Sequence, residues 1–273
     1  VAARAGEAVL RHCRAEESFY PLRGVLPPIG RYFVEPPFHP RSGALDPDPP
    51  PAFGAGVGHQ RAGPSADPDA RGGFSLYVPE WLSGEAPRPL VVALHGGAGH
   101  GRDFLWSWLR EARGRGFLLL APSSLDGTWS LAAPPQDGLR LRSMVEWVCE
   151  RWPVDRTRIL LTGLSDGATF TLLAGLEEDA PYTALAPVSG VLHPHNLALG
   201  NLARARGRRI HLVHGARDWL FPVALARHAR DELARAGADL AYREIEDLSH
   251  AYPREANDAI LAWFDPALAL PQR

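Results

Sequence analysis

Residues 158–177 read RILLTGLSDGATFTLLAGLE, and the fold turns on this stretch. RILLT is a short apolar run that ends at Gly163, and residues 166–177 have the length and composition of a helix. Between them, Gly163-Leu164-Ser165-Asp166-Gly167 forms a G-x-S-x-G. A strand, a tight turn and a helix in succession put Ser165 on a sharp elbow. The flanking glycines relieve crowding there, so that the hydroxyl projects above the sheet. The helix N-terminus beneath it favours negative charge developing at that point. The pentapeptide alone is modest evidence; its strand and helix make Ser165 a candidate nucleophile.

Outward from this elbow the pattern repeats. Apolar, strand-like runs occur at 73–78 (GFSLYV), 90–94 (LVVAL), 117–121 (FLLLA), 183–188 (TALAPV), 209–213 (RIHLV) and 239–245 (DLAYREI). Helix-length segments lie at 103–113, 138–151, 166–177, 222–236 and 254–264, with Asp103, Asp137 and Pro222 placed as caps or first-turn residues. This alternation predicts an α/β fold, a mostly parallel sheet with helices on both faces. In such sheets the working residues collect at the carboxyl ends of the strands. Upstream, residues 1–17 read as a short amphipathic helix, and 21–70 hold twelve of the 26 prolines. Each proline removes a donor and fixes φ, which excludes long helices and central strands. Tyr20, Tyr32, Phe33, Phe38 and Phe53 favour an arm packed on the body over a disordered linker. The expected organisation is therefore an arm over 1–70 and a catalytic domain over 71–273.

A serine hydroxyl needs a base to take its proton. Six histidines follow Ser165: His193, His195, His211, His214, His228 and His250. His250 alone follows the last strand-like run, in the loop before the final helix. His211 and His214 fall in or at the end of a strand, where a packed or backbone-bonded ring is expected, and His228 is mid-helix. HLVHGARDWLFP places Asp218 in the turn after the penultimate strand, as the acid that would orient the base. Asp247, three residues before His250, is the rival. Asp218 is preferred for its strand–loop–helix punctuation. The strand LVVAL runs into His95-Gly96-Gly97-Ala98-Gly99, where backbone N–H groups can approach a substrate. The N–H groups of Gly97 and Asp166 are the candidate oxyanion donors, with His95 as a brace of the loop. Trp129, Trp219 and His193 are candidate walls of a substrate pocket, with core packing an open alternative for Trp129 and Trp219.

LVVALHGGAGHG, GLSDGA, HGARDWLFP and LSHAYP, in that order and at compatible spacing, resemble the α/β-hydrolase superfamily over roughly residues 70–265. More narrowly they resemble bacterial carboxylesterase/phospholipase-type and polyhydroxybutyrate-depolymerase-like or feruloyl-esterase-like hydrolases. The resemblance implies a triad of Ser165, Asp218 and His250, an oxyanion hole at Gly97 and Asp166, and no metal or organic cofactor. It implies hydrolysis of short-chain or aryl carboxylic esters, or of oligomeric esters. The alternatives are a peptidase or amidase of the same fold and a non-catalytic binding protein. The proline-rich arm has no counterpart in the minimal fold.

Composition narrows the partners. The chain of 273 residues is 45% apolar and 22% charged, with a formal charge of −2 and no lysine at all. That balance gives no basic face for nucleic acid, and no apolar run reaches the ~18 residues of a membrane span. The first seventeen residues lack a continuous apolar core, so no secretory signal and a cytoplasmic location are expected. Cys13 and Cys149 match no metal spacing and are expected to be free thiols.

Overall fold

Leu90, Val91, Val92, Ala93 and Leu94 are all fully buried, although alternate side chains of a strand point to opposite faces. Leu90, Val92 and Leu94 enter one hydrophobic cluster, and Val91 and Ala93 enter the other. A strand that is apolar on both faces needs a helical layer on each, and the chain supplies them. The computed structural model describes residues 58–63, 70–79, 86–132 and 135–269. Its strands are β1 (Gly58–Ala62), β2 (Phe74–Val78), β3 (Arg88–Leu94), β4 (Leu118–Pro122), β5 (Val154–Leu164), β6 (Ala184–Val188), β7 (Arg209–Gly215) and β8 (Asp239–Ile245). They form one eight-stranded sheet in the order β1-β2-β4-β3-β5-β6-β7-β8. β1 and β2 are antiparallel to each other, β2 is antiparallel to β4, and every other neighbouring pair is parallel.

The helices are α1 (Gly101–Phe104), α2 (Leu109–Arg115), α3 (Pro135–Cys149), α4 (Asp166–Gly175), α5 (His195–Ala198), α6 (Val223–Arg235) and α7 (Ala256–Phe264). Met144 and Val145 of α3, Phe170 and Leu173 of α4, and Ala229 and Leu233 of α6 join Leu161 on one face of the sheet. Phe104 of α1, Leu109 of α2, and Ile260 and Phe264 of α7 join Leu160 on the other. No described helix is long and apolar enough to cross a membrane.

Two expectations change. The segment 103–113 is not one helix: α1 and α2 are separated by a 3-10 turn at Leu105–Ser107. Asp103 lies in the first turn of α1, as expected, and the cap is His100, with Nδ1 accepting from the Arg102 amide at 3.3 Å. The sheet also begins before residue 71, because β1 pairs with β2 along its whole length. GHQRA carries no apolar alternation, so nothing in its composition marks it as a strand. The segment 1–17, the proline-rich stretch up to residue 57 and Cys13 lie outside the described residues. Cys149, at the end of α3, is a free thiol that burial pushes up to about 11.

Leu161 lies on β5 between β3 and β6, fully buried. Leu161→Ala should lower the unfolding free energy by about 2–5 kcal/mol, read from urea titration with an unchanged m-value.

Candidate active site

The parallel strands deliver four loops to one edge of the sheet. The turn after β5 holds Ser165 at φ 56° and ψ −118°, a strained backbone for a residue with a side chain. Its N–H bonds to the Val188 carbonyl at 3.0 Å, which continues the β5–β6 ladder by one step. The positive φ falls on the serine itself, and the flanking glycines answer a different need, room. A Cβ on Gly163 would stand 2.6 Å from the Gly167 carbonyl, and one on Gly167 would stand 2.3 Å from the His95 carbonyl oxygen. The elbow can therefore press against the end of β3.

Asp218 sits in the turn after β7. Its Oδ1 accepts from the amides of Leu220 at 3.0 Å and Phe221 at 2.8 Å, so the carboxylate orders the turn that carries it. The loop after β8 is stitched to that turn by Ala216 N–H to Ile245 O at 2.8 Å and Arg217 N–H to Leu248 O at 3.0 Å. A Cβ on Gly215 would lie 2.3 Å from the Leu248 carbonyl oxygen, so glycine permits this approach. The stitched loops bring His250 between the other two groups. Its Nδ1 is 2.8 Å from Asp218 Oδ2, and its Nε2 is 2.9 Å from Ser165 Oγ. The Asp218 side chain is fully shielded, while that of His250 keeps 11% exposure. Asp247, the rival acid, is exposed, and the carboxylate His250 meets is that of Asp218.

The loop after β3 faces the same elbow. The His95 ring donates from Nδ1 to the Gly96 carbonyl at 2.7 Å and accepts at Nε2 from the Ser124 amide at 3.1 Å. Only a neutral imidazole satisfies both partners, since a second ring proton would face another N–H. Burial also holds this imidazole down, to about 3. The Thr128 hydroxyl donates to Asp166 Oδ2 at 2.7 Å, and a Cβ on Gly97 would lie 2.6 Å from that same oxygen. Asp137 holds the loop that carries Thr128, accepting from the amides of Leu125 at 3.2 Å and Ser130 at 2.8 Å. Among the described residues neither the Gly97 N–H nor the Asp166 N–H donates to a protein acceptor.

The candidate pocket residues divide. Trp219 is 41% exposed with its ring edge-on to His250, centroids 6.3 Å apart. Phe221, which the sequence reading did not single out, is closer, at 5.3 Å and 88°. Trp129 does not line an open pocket. It is 2% exposed, stacks on Phe170 at 5.4 Å and donates from Nε1 to the His95 carbonyl at 2.8 Å. The indole N–H needs an acceptor when buried, and this one makes Trp129 a second brace of the β3 loop. His193 lies in the loop after β6 and pairs edge-on with His195, centroids 4.7 Å apart. Among the described residues no group of three or more His, Cys, Asp or Glu side chains is placed to hold a metal ion.

Residues 141–264 match the family model described as Phospholipase/Carboxylesterase. The sheet order, the strained serine between β5 and α4, and this match agree. The chain has the α/β-hydrolase fold. Among solved structures, the chain is similar to a thermostable esterase at 21% identity and a TM-score of 0.59; the likeness covers 71% of the chain but 58% of that esterase's own length. It is similar to the acetyl xylan esterase from Aspergillus awamori at 18% identity and a TM-score of 0.58, covering 70% of the chain and 93% of that enzyme. The acyl-protein thioesterase 2 of Zea mays matches at 16% identity and a TM-score of 0.56, with 72% and 99% covered. No curated protein matches the chain in sequence.

The depressed imidazoles have a consequence for stability. Between their folded values, about 3 for His59 and His95, and the ordinary 6.5, the unfolded chain takes up protons that the folded one refuses. Their contribution is therefore complete above pH 6.5 and is lost as pH falls toward 3. From His95 alone the loss at pH 5 should be about 2 kcal/mol. Urea midpoints at pH 7.5 and pH 5 measure it. His95→Gln, which has no proton to gain, should flatten the slope.

Proposed function

We propose that the chain is a serine esterase that forms an acyl-enzyme on Ser165. The observation that carries this reading is the continuous hydrogen-bonded chain Ser165 Oγ–His250 Nε2 at 2.9 Å and His250 Nδ1–Asp218 Oδ2 at 2.8 Å. His250 Nδ1–H donates to Asp218, which leaves Nε2 bare to take the serine proton. Ser165 Oγ attacks the ester carbonyl carbon, its proton passes to Nε2, and the carbonyl π electrons move onto oxygen. The oxyanion is met by the N–H groups of Gly97 and Asp166, both unspent, at the N-terminus of α4. His250 then gives its proton to the departing alkoxide, which leaves as the alcohol. Water, deprotonated by the same ring, attacks the acyl-serine and releases the acid.

Asp218 takes no proton in this cycle. Its burial and its two backbone donors keep Oδ2 aimed at Nδ1, which stabilises the imidazolium as it forms. The reading takes carboxylic esters as substrates, with short-chain and aryl esters first. The exposed face of Trp219 beside His250 suits an apolar or aromatic group on one side of the scissile bond.

Three experiments test this. Ser165→Ala should lower turnover of a p-nitrophenyl ester by several orders of magnitude and abolish labelling by a fluorophosphonate probe. Asp218→Asn should fold normally yet lose roughly 10³–10⁴-fold, while Asp247→Asn stays near wild type. Labelling that persists in Ser165→Ala would sink the assignment, and faster cleavage of a matched p-nitroanilide would favour an amidase. Gly97→Ala should cost at least tenfold in kcat, because the new methyl must displace the Asp166 carboxylate at the oxyanion donors.

A further inference from the structure

We infer that His214 is a positioning residue for Asp218, an inference that rests on the acid role given to Asp218 above. His214 lies on β7, one residue before its end, and is 1% exposed. Its Nε2 is 2.8 Å from the Phe221 carbonyl oxygen and 3.4 Å from Asp218 Oδ2. Both neighbours are acceptors, and a bare ring nitrogen between them would set lone pair against lone pair. Nε2 therefore carries a proton and donates it to Phe221, with the carboxylate close to the same N–H.

This single donor acts at two points. Among the described residues nothing else donates to the Phe221 carbonyl. Held there, residue 221 presents its own amide to Asp218 Oδ1 at 2.8 Å, beside the Leu220 amide at 3.0 Å. The positive end of the Nε2–H dipole meanwhile lies against Oδ2, the oxygen that His250 uses. Both oxygens of a wholly shielded carboxylate are thus set from one side by His214 and the turn it pins, and from the other by His250. His214 is backbone-bonded, as its place on β7 predicts, and the carbonyl it bonds is what gives it a role.

Substitutions at residue 214 separate donation from packing. An apolar side chain of similar bulk fills the space yet leaves the Phe221 carbonyl unpaired and the carboxylate free to turn. A glutamine reaches about as far with an amide N–H, while an asparagine is one carbon short. His214→Leu should lower kcat on a p-nitrophenyl ester by roughly 10–100-fold with KM changed less than about twofold, as outer partners of reactive groups do. His214→Asn should resemble His214→Leu, and His214→Gln should recover to within about fivefold of wild type. In an Asp218→Asn background, His214→Leu should cost less than about threefold, since its route to the chemistry is already cut.

Equal losses in both backgrounds, a loss confined to KM, or full activity in His214→Asn would each overturn the inference. If His214→Leu fails to fold, the Asn and Gln pair decides by the same criterion. Fluorophosphonate labelling of wild type, lost in Ser165→Ala, reports on the underlying esterase reading independently. Labelling intact with an indifferent His214 removes this inference alone, and no labelling of wild type removes both.

Discussion

The approach of the β5–α4 turn to the end of β3 is the contact on which the site depends. The Gly167 backbone lies against the carbonyls of Leu94 and His95 so closely that no side chain fits between them. That closeness sets Gly96 beside the Ser165 side chain and Gly97 beside the Asp166 carboxylate at the sheet edge. The cost is the positive φ of Ser165, a strain that the surrounding packing must hold. Strain of this kind persists only where the neighbours over-determine it. Here they do, through the Val188 carbonyl on one side and the braced β3 loop on the other.

The braces share a chemical character. His95, Trp129 and Asp137 each spend side-chain hydrogen-bonding groups on backbone partners, and each is almost fully enclosed. Buried polar groups that find partners fix a loop more sharply than apolar packing does, because a small displacement leaves a donor or acceptor unpaired. Asp218 follows the same logic on the other side of His250, with two amides on one oxygen. The imidazole between these fixed walls keeps some exposure, as the proposed exchange of protons with substrate and water requires.

The parts of the chain that were legible in the sequence are those with local grammar. The alternation of apolar runs and helical segments marked seven of the eight strands, and the glycine spacing marked the elbow. Asp218 and His250 were legible as the turn and loop residues after the last two strands, and the structure brings them to Ser165. What escaped depends on contacts that no local pattern encodes. GHQRA becomes a strand because β2 offers it an edge. Trp129 turns inward because a carbonyl of a distant loop accepts its N–H. Phe221 reaches His250 because Asp218 folds its own turn, and His214 matters through a carbonyl seven residues away. In each case the deciding partner lies in another element or in a turn whose shape composition does not announce.

β1 carries a practical meaning for dividing this chain. Cut at the compositional boundary near residue 70, the protein would lose its outermost strand, and β2 would present a row of unsatisfied amides and carbonyls along its full length. Such a bare margin is a template for pairing between molecules. The five residues Gly58–Ala62 thus act as a hem stitched along β2, which a shortened chain has to keep.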